Sequence, residues 1–102
     1  MGFGYKEKIY QNSIEHTFTQ SNIKFRRELP TKIQFKGKDV GIYYFDFLVD
    51  GKVVLEIKVR NFFSKKDITQ LYSYLKALKL KLGIIAHFTR TGVKFKRIVN
   101  LT

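Results

Sequence analysis

The sequence predicts a mixed α/β domain: a helix, a three-stranded antiparallel meander, a second helix and two further strands forming a mixed sheet. Three observations carry that prediction. The runs 42–49 and 52–59 are β-branched and aromatic and are joined through Asp50-Gly51, a strong hairpin signal. The segment after Ser64 places Ile68, Leu71, Leu75 and Leu78 on one helical face. A short apolar run, Gly83 to Phe88, then reads as a buried strand.

The elements follow in order. Tyr5, Ile9, Ile14 and Phe18 recur at roughly helical spacing, so Gly4 to about Gln20 reads as an amphipathic helix. Ile23 to Glu28 is a short mixed segment that stops at Pro30, the only proline. Thr31 to Phe35 alternates as a strand does, and Lys36-Gly37-Lys38-Asp39 has the composition of a turn. Ser64-Lys65-Lys66-Asp67 has capping-box spacing, an oxygen at the N-cap and a carboxylate three residues on. Thr89-Arg90-Thr91-Gly92 turns the chain into a last alternating strand, Val93 to Val99. No repeat or linker interrupts the pattern, and 102 residues support one modest core, so a single domain over 1–102 is expected.

Composition narrows the partners. Twenty Lys and Arg against eight Asp and Glu give a formal charge of +12, which favours a polyanion such as nucleic acid, because basic side chains displace the counterions condensed on phosphates. No strongly basic amphipathic helix points to a membrane surface, and no apolar run is long enough to span one. A soluble, cytoplasmic protein is the expectation. There is no cysteine, so disulfides and thiolate zinc sites are excluded. His16 and His87 have no metal-ligand spacing, and no phosphate-binding glycine loop is present.

Asp46 and Glu56 are the informative acids. Each sits inside one of the most apolar runs, and removing a carboxylate from water is costly unless a cation, a metal or strong hydrogen bonds replace the lost solvation. Lys58 lies two residues beyond Glu56. A two-residue hairpin loop would pair Asp46 with Leu55 and put it on the face opposite Glu56. A three-residue loop Val49-Asp50-Gly51, or an equivalent bulge, pairs Leu48 with Lys52, sets Asp46 against Val54 and Tyr44 against Glu56, and brings Asp46, Glu56 and Lys58 to one face. We predict the latter. Two carboxylates on adjacent strands suit magnesium or manganese, with the backbone carbonyl of Ile57 as a further ligand and Lys58 orienting water or stabilising charge on a phosphate. The plainer reading is a half-exposed strand carrying a surface Glu–Lys pair.

With Gly4-Tyr5-Lys6-Glu7-Lys8-Ile9-Tyr10, Asp46, Glu56-Ile57-Lys58 and Gln70-Leu71-Tyr72-Ser73-Tyr74 in view, the chain resembles the PD-(D/E)XK nuclease superfamily, and within it the small GxxExxY proteins. The resemblance implies a restriction-endonuclease-like core and hydrolysis of phosphodiester bonds, in DNA ahead of RNA. It implies Asp46 and Glu56 as ligands of Mg2+ or Mn2+, Lys58 as the catalytic lysine and Glu7 as an auxiliary acid. Gln70 and Tyr74, four apart on one helical face, would support the site. Tyr10 would pack beneath it or touch nucleic acid. Two departures stand out: the chain begins almost at the GxxExxY motif, where the family usually has a preceding helix, and Phe45 replaces the usual proline before the acid. A homodimer or a helicase-type partner would fit such a small member. The competing reading keeps the fold as a non-catalytic nucleic-acid-binding module or a partner subunit.

Overall fold

A computed structural model describes residues 3–60 and 64–101. The elements run α1 (Phe3–Gln20), β1 (Phe25–Phe35), β2 (Lys38–Val49), β3 (Val53–Val59), α2 (Lys65–Leu78), β4 (Leu82–Thr89) and β5 (Gly92–Val99). One sheet takes the strands in sequence order. Its β1–β2, β2–β3 and β4–β5 pairs are antiparallel, and β3–β4 is parallel. The parallel pair is what α2 makes possible, since same-direction neighbours need a crossover connection. The predicted α/β class and element order stand. Among the described residues no helix is long and apolar enough to cross a membrane.

The core joins the sheet to α2: Phe45, Val54, Leu71, Leu75, Ile85 and Ile98 are buried together. Gly83 lies so close beneath α2 that an added Cβ would stand 2.9 Å from Leu71 Cδ2, which explains a glycine inside a buried strand. Ser64 caps α2 by accepting the Lys66 N–H, while the Asp67 carboxylate is spent on Arg60, 3.1 Å away. At the other end Lys79 takes a left-handed φ of 59°, and the Leu80 N–H donates to the Leu75 carbonyl, a Schellman-type stop. Buried Asn100 donates to the carbonyls of Leu80 and Lys81, tying the end of β5 to the α2–β4 connection.

Several boundaries differ from expectation. The segments 23–28 and 31–35 form one strand that runs through Pro30. Its position is tolerable because β1 is an edge strand, where a missing N–H need not break a ladder. The turn before β2 is only Lys36-Gly37, both at positive φ, and Lys38 and Asp39 are already paired with β1. On α1 the expected stripe is rotated. Ile9 is 47 % exposed, whereas Gln11 is buried and Phe18 packs edge-on to Phe47. The side chain of Tyr5 lies outside the described residues.

The hairpin keeps the predicted parity with a different register. Its loop is Asp50-Gly51-Lys52, and the pairs are Val49↔Val53, Leu48↔Val54 and Phe47↔Leu55. The expected Leu48–Lys52 pairing is therefore wrong by two residues along β3. Asp50 and Gly51 both take positive φ, 53° and 66°, so the turn centres on them, and the Lys52 N–H donates to the Val49 carbonyl. Val49 stays in the sheet because it is also paired with Phe25 of β1, leaving exposed Lys52 as the extra residue. Continued one step, this register sets Asp46 directly opposite Glu56.

Leu75→Ala is expected to destabilise the protein by about 2–5 kcal/mol, from lost burial plus the cavity left behind. Ile42→Ala, at a position 61 % exposed, should stay within about 0.5 kcal/mol. Urea denaturation of the two variants checks both values.

Candidate active site

The β2–β3 ladder stops at Phe47↔Leu55, and two side chains take over from it. The Ile57 N–H donates to Asp46 Oδ2 at 2.7 Å, and the Asp46 N–H donates to Glu56 Oε1 at 3.3 Å. Each acid thus accepts from a backbone N–H of the opposite strand, where the ladder between β2 and β3 has ended. Sheet alternation breaks at the same place. The rings of Tyr43 and Phe45 pack against Tyr74 of α2, while Phe47 packs against Phe18 of α1. Strict period-two alternation would have put all three on one face. Across on β1, Glu28 falls out of the ladder with a φ of 51°.

Around this break the predicted groups gather. Glu56 is buried and Asp46 and Lys58 are half-buried. Burial raises Glu56 to about 8, and the Asp46 carboxylate adds to the rise; Lys58, the Asp46 N–H and the Tyr43 hydroxyl pull the other way. Asp46 is also raised, again by burial first, against the opposing pull of the Ile57 N–H, Lys58 and Gln11. Glu7 on α1 is raised by burial and then by the Asp46 charge, with Lys58 and Arg60 opposing. Three carboxyl groups and one lysine therefore share one field. Gln70 and Tyr74 line a recess with Tyr43, Glu56, Lys58 and Asp67, and Gln70 Nε2 donates to the Tyr74 hydroxyl at 3.2 Å.

Tyr10 stands apart. Its ring is stacked on Phe88 at 4.0 Å and lines an apolar recess with Ile14 and Phe18, a packed position as in the first of its two expected roles. Three residues escaped the sequence reading. Tyr43 donates its hydroxyl to Glu56 Oε2 at 3.4 Å, and only the broken alternation at Asp46 turns it that way. Arg60, anchored by Asp67, supplies a second cation near Glu7. Gln11 donates to Asp46 Oδ1 at 2.9 Å, and its spacing of four from Glu7 on one helix could have revealed it.

Among the described residues no three His, Asp or Glu side chains stand close enough together to hold a metal ion. The donor set still fits a hard dication. Magnesium is commonly bound through one or two carboxylates, with waters and substrate phosphates completing its shell. Each of the four oxygens of Asp46 and Glu56 accepts one hydrogen bond, which leaves acceptor capacity on every one.

A family model described as the PD-(D/E)XK nuclease superfamily matches residues 1–98. The chain belongs to that superfamily. No curated protein matches it. Among solved structures, the fold is similar to that of SSO0001, with a TM-score of 0.70 and 22 % identity over 91 % of this chain and 50 % of the other. It is also similar to the alkaline exonuclease LHK-Exo from Laribacter hongkongensis, with a TM-score of 0.64 and 12 % identity over 91 % of this chain and 55 % of the other. The chain thus spans about half the length of these solved relatives. At such identities the likeness shows the fold alone.

The raised Glu56 makes a pH prediction. A carboxyl whose folded value lies above its unfolded value near 4.5 favours the folded state most when protonated, and that contribution is lost as the pH rises through about 8. In a chelator, the melting temperature should fall between about pH 4.5 and 8, with Asp46 and Glu7 acting in the same sense. Glu56→Gln should flatten much of that slope, and thermal melts across the range test it.

Proposed function

We propose that this protein is a Mg2+- or Mn2+-dependent phosphodiesterase acting on nucleic acid, with DNA ahead of RNA. The observation that carries the reading is the Asp46–Glu56 pair, locked across the mouth of the β2–β3 split beside Lys58. Membership of the PD-(D/E)XK superfamily supports the same chemistry.

Asp46 and Glu56 would hold the cation, with the Ile57 carbonyl as a further ligand. A bound dication supplies Lewis acidity toward a phosphate oxygen and lowers the pKa of a water. The chain's own groups do the rest. Lys58 places an ammonium beside the carboxylates, where it would orient the attacking water or stabilise negative charge developing on the phosphate oxygens. Glu7 is the auxiliary acid at the α1 side. Gln70 and Tyr74, already hydrogen-bonded to each other, offer an amide and a hydroxyl at the rim, and Arg60 is held by Asp67 for a phosphate contact. The +12 charge grips the backbone without reading sequence. Within the superfamily we place the chain with the GxxExxY proteins, on Gly4 through Tyr10.

The test is cleavage of supercoiled plasmid and of short single-stranded DNA in magnesium, manganese or EDTA. Wild type should cut only with metal, and Lys58→Ala and Glu56→Gln should each lower the rate by about 10²-fold or more. Equal cutting by all three proteins would identify a contaminant. Salt-sensitive binding that is indifferent to metal and to Glu56→Ala, without cutting, would instead support the non-catalytic module.

A further inference from the structure

One chain of polar contacts reaches Asp46 from α1 and β1. Glu15 of α1 pairs with Arg27 of β1 at 2.8 Å, and Arg27 Nη1 also donates to Asn12 Oδ1 at 2.7 Å. Arg27 Nη2 donates to Gln11 Oε1 at 3.0 Å. Gln11 Nε2 donates to Asp46 Oδ1 at 2.9 Å, and Asp46 Oδ2 accepts from the Ile57 N–H. The chain therefore crosses α1, β1, β2 and β3, and Gln11, at its centre, is 6 % exposed.

Its direction follows from chemistry. A guanidinium can only donate, so the Gln11 oxygen must face Arg27. The amide nitrogen is then turned toward Asp46, where it can only donate, and an ionised carboxylate is the partner that accepts. A glutamine facing a carboxylate alone could rotate its amide or leave; here Arg27 fixes it, and Glu15 and Asn12 fix Arg27. Asp46 is consequently gripped at both oxygens, by a backbone N–H on one and a locked amide on the other. Its carboxyl plane is set by groups that need no bound ion.

We propose that Gln11, locked by Arg27, is a positioning residue for the Asp46 carboxylate and sets the affinity of the site for a divalent cation. The proposal rests on the phosphodiesterase reading, because it assigns Asp46 as a metal ligand. Partners that orient ligating groups typically contribute about 10–100-fold to metal affinity.

The experiment is Mn2+ binding to the protein without substrate, followed by the electron paramagnetic resonance signal of free Mn2+. Wild type, Gln11→Met and Glu56→Gln are compared at a temperature well below the melting point of each. Methionine keeps the length and helix preference of glutamine while removing both hydrogen bonds, and Arg27 retains Asn12 and Glu15. Gln11→Met should weaken Mn2+ binding about 10-fold or more. The Mn2+ concentration for half-maximal cleavage should rise by the same factor, with the rate at saturating Mn2+ within about threefold of wild type. A merely structural role would lower the melting temperature and leave the dissociation constant unchanged, which overturns the proposal. If Gln11→Met fails to fold by circular dichroism, Arg27→Met takes its place. That variant frees the Gln11 amide and should weaken binding in the same direction, and unchanged affinity overturns the proposal equally. Wild type and Glu56→Gln both failing to bind Mn2+ would sink the functional reading itself, whereas tight wild-type binding unaffected by Gln11→Met sinks this inference alone.

Discussion

The contact between Asp46 Oδ2 and the Ile57 N–H, at 2.7 Å, is the constraint from which the site's geometry follows. β2 and β3 pair for only three rungs, whereas β3 and β4 pair for seven, from Val53↔Leu82 to Val59↔Phe88. β3 thus stays with β4 while β2 leaves it. A buried strand that loses its neighbour exposes N–H groups to an apolar interior, at a cost comparable to a lost hydrogen bond. Asp46 and Glu56 close that gap with their own oxygens. The acids are therefore part of the sheet's hydrogen bonding as well as candidates for chemistry, and the split they span is where the recess of Glu56, Lys58, Gln70 and Tyr74 forms.

The same break explains what could and could not be read in the sequence. Asp50-Gly51 announced the hairpin, and the demand that Asp46 and Glu56 share a face selected a three-residue loop; the hairpin and the loop length are found, with the loop one residue later than expected. The register slipped because pairing with Phe25 holds Val49 in the sheet, a constraint from β1 that no inspection of the hairpin alone contains. Pro30 read as a stop because a proline is costly in a central strand, and nothing local says that β1 is an edge. Ile9 looked like core by hydrophobicity, yet α1 turns Glu7 and Gln11 inward, since the site it covers is polar. Tyr43 was missed for the mirror-image reason. Period-two alternation is a good rule until a side chain replaces a ladder bond, and Asp46 does that three residues later.

The electrostatics of the site run against those of the molecule. The chain carries +12, a charge that favours polyanions, but Glu7, Asp46 and Glu56 share one negative field at the candidate site. Lys58 and Arg60 offset part of that negative field, and burial does the rest by holding a proton on Glu56 up to about pH 8. A proton is one way of neutralising the pair, and the proposed divalent cation would compete with it for the same oxygens. In the proposed site a cation held by Asp46 and Glu56 would displace the Glu56 proton, so its affinity would rise with pH until that group is ionised. Gln11 and the Ile57 N–H work on the same balance from the Asp46 side, because both donate only and both favour the ionised acid. Both acids are pushed toward the protonated form by burial, but Asp46 meets donors that oppose the push at each oxygen, whereas Glu56 is carried up to about 8. That asymmetry arises from the neighbours that the broken ladder gives each acid: a backbone N–H and a locked amide for Asp46, and a deeper burial for Glu56.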